Sequence, residues 1–180
     1  MTPKNPIQTR EKILHAAAQV VGSSGTDKFT LDQVALVAQV SKGGLLHHFP
    51  TKDALLQGLV AHLVVLFEQR LATEIAAEPI GAPGCWTRAY IRATFVSEAI
   101  EDALLTALGP AAISHPQLVE VFRTYFEYLN IIPDDGIPIT RVLAIRLACD
   151  GLWLSELAGM PVIRDPLRTE LMDELIRMTQ

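Results

Sequence analysis

Residues 29–53 read FTLDQVALVAQVSKGGLLHHFPTKD, and the organisation of the whole chain follows from this stretch. Thr30 and Gln33 have the spacing of a capping box, in which a hydroxyl and an amide reciprocally satisfy backbone donors at a helix start. Phe29 and Val34 fall at the staple positions that fix the entry angle, so a helix begins at Leu31. Leu31, Val34, Ala35 and Ala38 recur on one of its faces, the pattern of a helix packed inward on one side. The pattern ends near Gln39, Val40 anchors a tight turn, and Ser41 is a suitable N-cap. From Lys42 to Phe49 a second short helix offers Leu45 and Phe49 inward. Lys42, Gly43, Gly44, Leu46, His47 and His48 are left over, and Pro50-Thr51 stops this helix before a long apolar one.

Upstream, Ile13, Leu14, Ala17, Ala18 and Val21 predict an amphipathic helix from about Thr9 to the Gly22–Gly25 cluster. Downstream, Thr51 caps a long helix with Leu55, Leu56, Leu59, Leu63, Phe67, Leu71 and Ile75 in one apolar stripe, broken by the Pro/Gly-rich residues 79–84. Two helices are expected at Trp86–Ile100 and Glu101–Leu108, with a boundary from Gly109-Pro110 to Ser114-His115-Pro116. A third starts at Pro116 and runs to about Asn130, since proline suits a first helical turn. IIPDDGIP (131–138) reads as an exposed loop. Thr140–Gly159 and a final helix to about Met178, with Asp165 as cap and Pro166 first, complete the chain. No strand pattern and no internal repeat is visible, so the fold class is all-α, with about nine helices. A three-helix head occupies residues 1–52 and a helical body residues 53–180.

A hydrophobic content of 49% over 180 residues, with mean hydropathy +0.27, supports a sizeable core and argues against disorder. No run reaches the roughly 18 apolar residues of a membrane span, because His62 and Arg146 interrupt the two longest candidates. The opening MTPKNPIQTREK has no apolar segment of the signal-peptide kind, so a cytoplasmic location and no membrane partner are expected. Cys85 and Cys149 lack metal-ligand spacing and read as free thiols. The net charge of −5 divides unevenly: residues 1–53 carry six Lys/Arg against four acids, a balance of +2, which leaves −7 for the rest. Positive charge is therefore local to the head, where His15, His47 and His48 add donors. Contact with a polyanion is expected there and discouraged elsewhere.

VSKGGLLHHFPTKDAL (40–55) resembles the helix-turn-helix signature of the TetR family of bacterial transcriptional regulators. The resemblance lies in the Lys-Gly pair opening the second helix, the His-Phe closing it, and the Thr-Lys-Asp that starts the next. It is specific over about the first third of the chain and architectural beyond. Family members commonly carry a tyrosine where Leu46 or His47 stands, so a phenolic phosphate contact is replaced here by imidazole or lost. The resemblance implies a homodimer through the two C-terminal helices, where Leu143, Leu147, Leu152, Leu154, Leu157, Leu167, Leu171, Leu175 and Ile176 exceed what one small body covers. It also implies a double-stranded DNA operator as partner, read by two recognition helices about 34–36 Å apart. A small apolar or amphipathic effector would release a repressor of this kind, with the helix from Thr51 to about Glu78 moving the heads.

The expected DNA-contacting residues are Thr30, Ser41, Lys42, Gly43, Gly44, Leu46, His47, His48 and Lys52. An ammonium at Lys42 suits phosphate or a guanine edge, and Gly43 and Gly44 permit close backbone approach or simply serve the turn. Leu46 suits a thymine methyl or the core, and His47 is the stronger donor candidate of the two histidines. Thr30, Ser41 and Lys52 lie at helix starts, where phosphate and capping are both served. In the body, Arg146 and Asp150 are spaced i, i+4 in an apolar helix, with Trp153 on the same face; they form an ion pair or a polar handle on a ligand. Phe67, Phe95, Phe122 and Tyr125 complete the candidate ligand-binding set, most aromatics being core. No metal site, cofactor or catalytic motif is expected: there is no H-E-x-x-H, no Gly-rich phosphate loop and no activated nucleophile. The competing readings are a DNA-binding protein without effector and a small all-helical enzyme.

Overall fold

The computed structural model describes residues 6–96, 99–114, 118, 120–121, 123, 127, 134–158, 160 and 163–180. Among these residues there are eight helices and no strand. They are α1 Pro6–Ser24, α2 Leu31–Val37, α3 Lys42–His48, α4 Lys52–Ala77, α5 Cys85–Phe95, α6 Ala99–Ser114, α7 Ile139–Leu157 and α8 Leu167–Arg177. Residues 118, 120, 121, 123 and 127 are helical as well; most of the helix expected from Pro116 to Asn130, the ninth, lies outside the described residues. The chain divides into two compact units, Met1–Leu63 with Ala99–Tyr125, and Val64–Glu98 with Phe126–Gln180.

In the first unit α1 packs against α2 and α6, and α2 against α3. Ile13, Leu14, Ala17, Ala18 and Val21 are buried along α1, which is already helical at Pro6, the first described residue, ahead of the expected start near Thr9. A Cβ added at Gly22 would lie 3.0 Å from the Ala103 Cβ, so α1 and α6 meet there more closely than most Cβ contacts allow. Thr30 and Gln33 form the capping box: the Gln33 N–H donates to the Thr30 hydroxyl and the Thr30 N–H to the Gln33 side chain. At the other end of α2 the Gln39 N–H donates to the Leu36 carbonyl and the Val40 N–H to that of Ala35. This is a Schellman turn, and its left-handed position is occupied by Gln39 at φ +55°. Phe49 closes the unit: a Cβ at Gly58 of α4 would fall 2.6 Å from the Phe49 ring and 3.2 Å from Leu14, while the Arg10 guanidinium lies 5.3 Å from the ring centroid. The α4 residues Leu55, Leu56, Leu59 and Val60 are fully buried. Thr51 caps α4 as expected, accepting from the Ala54 N–H at 3.0 Å. By length and composition α4 is apolar enough to cross a membrane, which the interruption at His62 had argued against.

In the second unit α5 packs against both α7 and α8. Its N-terminus has no side-chain cap of its own. Asp135 supplies one from a distance: its carboxylate accepts from the Trp86 N–H at 3.0 Å, the Thr87 N–H at 2.8 Å and the Thr87 hydroxyl at 2.6 Å. The expected exposed loop therefore holds a buried carboxylate, because orphan N–H groups at a helix start must find an acceptor. The end of α4 is tied to α5 by Glu78, 5% exposed, which pairs with Arg88 at 2.7 Å and with Arg92. Burial opposes its charge, but the bonds from the two guanidiniums prevail and hold the carboxyl below its ordinary range.

Other boundaries also differ from the sequence reading. α5 ends at Phe95 with Val96 extended, not at Ile100. α6 starts at Ala99 and continues through Gly109-Pro110, where a boundary was expected. A proline in a helix interior costs roughly 3 kcal/mol, and burial of Leu104, Leu105 and Leu108 outweighs it. α8 starts after Pro166, and Asp165, instead of capping, accepts from the Thr169 hydroxyl.

Two predictions follow from this packing. Gln39→Gly removes the side-chain penalty of a left-handed backbone and should stabilise the chain by up to about 1 kcal/mol, read as a raised midpoint in thermal unfolding; an unchanged or lowered midpoint contradicts the strain. Both thiols are free, Cys149 buried and Cys85 only half-buried, and burial pushes the Cys149 thiol up to about 12. A thiol reagent at neutral pH should therefore label Cys85 in the folded protein and reach Cys149 only on unfolding.

Candidate nucleic-acid interface and aromatic-ionic cluster

The second short helix of the head is held by one cap and two buried side chains. Ser41 is extended and its hydroxyl accepts from the Gly44 N–H at 3.1 Å; Leu45 is fully buried and Phe49 nearly so. With that face committed, Lys42, Gly43 and His47 are exposed, and Gly44, Leu46 and His48 lie half-buried at its edges. The two imidazoles stand edge to face with centroids 5.4 Å apart. A Cβ at Gly43 would meet nothing within 4 Å, whereas one at Gly44 would lie 3.1 Å from the Ser41 hydroxyl. The two glycines differ accordingly: Gly44 suits the cap, and Gly43 leaves the backbone open to an outside body. Lys42 is not idle, its ammonium lying 2.9 Å from each oxygen of the Asp32 carboxylate on α2.

Thr30, Ser41 and Lys52 are engaged within the head. The first two are caps. The Lys52 ammonium donates to the Asp27 carbonyl at 3.2 Å and stands 4.4 Å from the Phe29 ring centroid. The sequence reading left Leu36 and Val37 of α2 unassigned, and both are exposed, at 80% and 45%.

In the second unit Phe67, Arg146 and Asp150 come together around a residue that the sequence reading did not single out, Tyr90. The Tyr90 hydroxyl donates to the Asp150 carboxylate at 2.5 Å, and Arg146, 5% exposed at its side chain, pairs with the same carboxylate at 3.6 Å. The Tyr90 ring stacks on Trp86 at 5.2 Å, meets Phe67 edge-on at 5.6 Å and lies 5.8 Å from the Arg146 guanidinium. Burial, followed by the neighbouring Asp150 charge, pushes the phenol well above its ordinary range, so it stays a donor at any working pH. The signal was available in the i, i+4 spacing of Trp86 and Tyr90, which puts two aromatics on one face of α5. Trp153 lies on α7 three residues after Asp150, half-buried. Phe95 is engaged elsewhere, under the Arg168 guanidinium at 5.3 Å, with Arg168 in turn paired to Glu156 at 2.6 Å. Phe122 and Tyr125 lie outside the described residues.

The arrangement has counterparts among known proteins. Residues 13–59 match the family described as bacterial regulatory proteins, tetR family, and residues 84–180 match the tetracyclin repressor-like C-terminal domain. The HTH-type transcriptional regulator BetI of Paraburkholderia phymatum is 29% identical over 165 residues, covering 84% of this chain and 83% of that protein. BetI of Pseudomonas aeruginosa is 25% identical over 158 residues, covering 81% and 79%. A transcriptional regulator of Rhodococcus sp. Rha1 superposes with a TM-score of 0.68 at 25% identity, covering 94% of this chain and 95% of that one. The exposed strip of a capped short helix and the matches over both segments have one reading: the chain belongs to the TetR family of bacterial regulatory proteins and is a helix-turn-helix, DNA-binding transcriptional regulator.

Proposed function

We propose that the chain is a repressor that holds an operator as a homodimer and is released by a small apolar or amphipathic effector, working in the cytoplasm where the DNA is and carrying no catalytic activity. The observation that carries the DNA-binding half is the α3 face, whose exposed residues Lys42, Gly43 and His47 lie opposite its buried anchor Leu45. Lys42 and His47 donate to phosphate or a base edge, Gly43 admits the backbone, and Leu46 and His48 contact the groove wall. Thr30, Ser41 and Lys52 meet phosphates at helix starts while keeping their internal bonds. The functional domains are then residues 1–52 and 53–180, a division by what touches DNA.

Dimerisation through α7 and α8 is supported by Leu143, Leu147, Leu154 and Leu167, which are 42%, 71%, 57% and 56% exposed. The first three share a face of α7 with Gly151, where an added Cβ would meet nothing within 4 Å. Four leucines left in water cost roughly what a second copy recovers by covering them, and a two-fold pair supplies the two recognition helices an operator needs. For the effector, the cluster of Phe67, Trp86, Tyr90, Arg146 and Asp150, with Trp153 beside it on α7, offers flat apolar faces around a few polar groups. An effector that fits one arrangement of these residues better shifts the population toward it, and α4 would carry the change.

Operator fragments can be selected from genomic DNA with the purified protein. Lys42→Ala with His47→Ala should then weaken operator binding about tenfold to a hundredfold, with helical content and oligomeric state unchanged; retained binding would contradict the assignment. Leu147→Glu should convert the dimer to a folded monomer in sedimentation equilibrium and weaken operator binding with it. A variant that remains dimeric would place the interface elsewhere.

A further inference from the structure

We propose that Asp32 is an electrostatic brake on DNA binding: it holds the Lys42 ammonium in the free protein and restrains its transfer to phosphate. This rests on the assignment of Lys42 to the DNA-contacting set. Asp32 stands in the first turn of α2 and Lys42 at the first position of α3, and both carboxylate oxygens lie 2.9 Å from the ammonium nitrogen. The two side chains are 66% and 59% exposed. An ion pair this open to water is weakly held, so a phosphate oxygen can take the place of the carboxylate.

The exchange has two effects on affinity. Lys42 arrives at the duplex partly neutralised within the protein, so its contact releases less of the condensed counterion atmosphere that drives sequence-independent binding. The displaced carboxylate also stays beside the incoming phosphate, since the capping box and the buried Val34 and Ala35 fix the α2 backbone that carries it. Like charges are then close because Lys42 has drawn the phosphate in, so this repulsion depends on the lysine and is the same whatever the base sequence. The head carries only +2 over residues 1–53, so one acid set against the one lysine of α3 is a large share of the balance. Asp32 thereby lowers general attraction to DNA and leaves more of the recognition to base edges and dimer spacing.

The test measures binding of the full chain to a labelled duplex of mixed sequence, long enough for two successive major grooves, over a series of salt concentrations. Asp32→Asn keeps the size of the side chain and removes its charge. It should raise affinity up to about fivefold at low salt and steepen the log–log salt dependence by up to about 0.9, with the thermal midpoint essentially unmoved. Lys42→Ala should make that slope shallower by what remains of the roughly 0.9 that a single phosphate contact contributes, and in the Lys42→Ala background Asp32→Asn should lose most of its effect. If Lys42→Ala lowers the slope while Asp32→Asn changes neither slope nor affinity, or lowers affinity, the brake is wrong and the DNA contact stands. An Asp32→Asn effect that persists undiminished without Lys42 also overturns it, since that is long-range charge alone. If Lys42→Ala leaves affinity and slope unchanged, the assignment of Lys42 to DNA fails and the brake with it.

Discussion

A seven-residue helix has too few internal hydrogen bonds to hold itself in water, and the exposed face of α3 depends on how that helix is held from outside. Three attachments do it. The Ser41 hydroxyl closes the first turn, Leu45 enters the core in the middle, and Phe49 anchors the end. Phe49 in turn requires Gly58, because any side chain at that position of α4 would occupy the space of the ring. The face opposite these anchors is thereby fixed without any residue on it taking part. Lys42, Gly43 and His47 lie off the anchoring face, and the Lys42–Asp32 pair is exposed to water and worth little to stability.

The second unit follows another constraint, that charges taken out of water must be paired. Glu78 has two guanidiniums, Asp135 satisfies the start of α5, and Arg146 shares Asp150 with the Tyr90 hydroxyl. Such pairs are poor sources of net stability, yet they fix geometry, since breaking one leaves an uncompensated charge. Tyr90 joins both kinds of interaction: its ring meets Phe67 and Trp86 while its hydroxyl orients the Asp150 carboxylate. An effector seated on these side chains would meet a surface already arranged by its internal bonds.

Much of this was legible in the residues. The capping box of α2, the Ser41 and Thr51 caps, the inward face of α1 and the stripe of α4 are local properties, set by side chains within four positions of one another, and each is found where its spacing predicts, except that the α4 stripe is half-buried at Phe67 and ends exposed at Ile75. The pairing of Arg146 with Asp150 is of the same kind. The exposed residues of α3 were readable for a related reason: once Leu45 and Phe49 are inward, helical periodicity leaves the others out. The +2 of residues 1–53 against −7 beyond them needs no coordinates either.

The remainder joins positions far apart in sequence, and no local pattern encodes it. Asp135 caps a helix that begins 50 residues earlier, so a segment rich in Pro, Asp and Gly reads as an exposed loop until α5 is placed beside it. Gly109-Pro110 reads as a helix end, because the local cost of proline is visible and the burial of Leu104, Leu105 and Leu108 that outweighs it is not. Lys42 and Asp32, ten positions apart on two helices, become partners only through the angle of the turn between them. The sequence by itself determined most of the helices, the caps of α2, α3 and α4 and the exposed face of α3, since these depend on neighbours along the chain. The tertiary structure alone decided that Asp32 pairs with Lys42, that Asp135 caps α5 and that Tyr90 joins Trp86, Phe67 and Asp150, since those depend on neighbours in space.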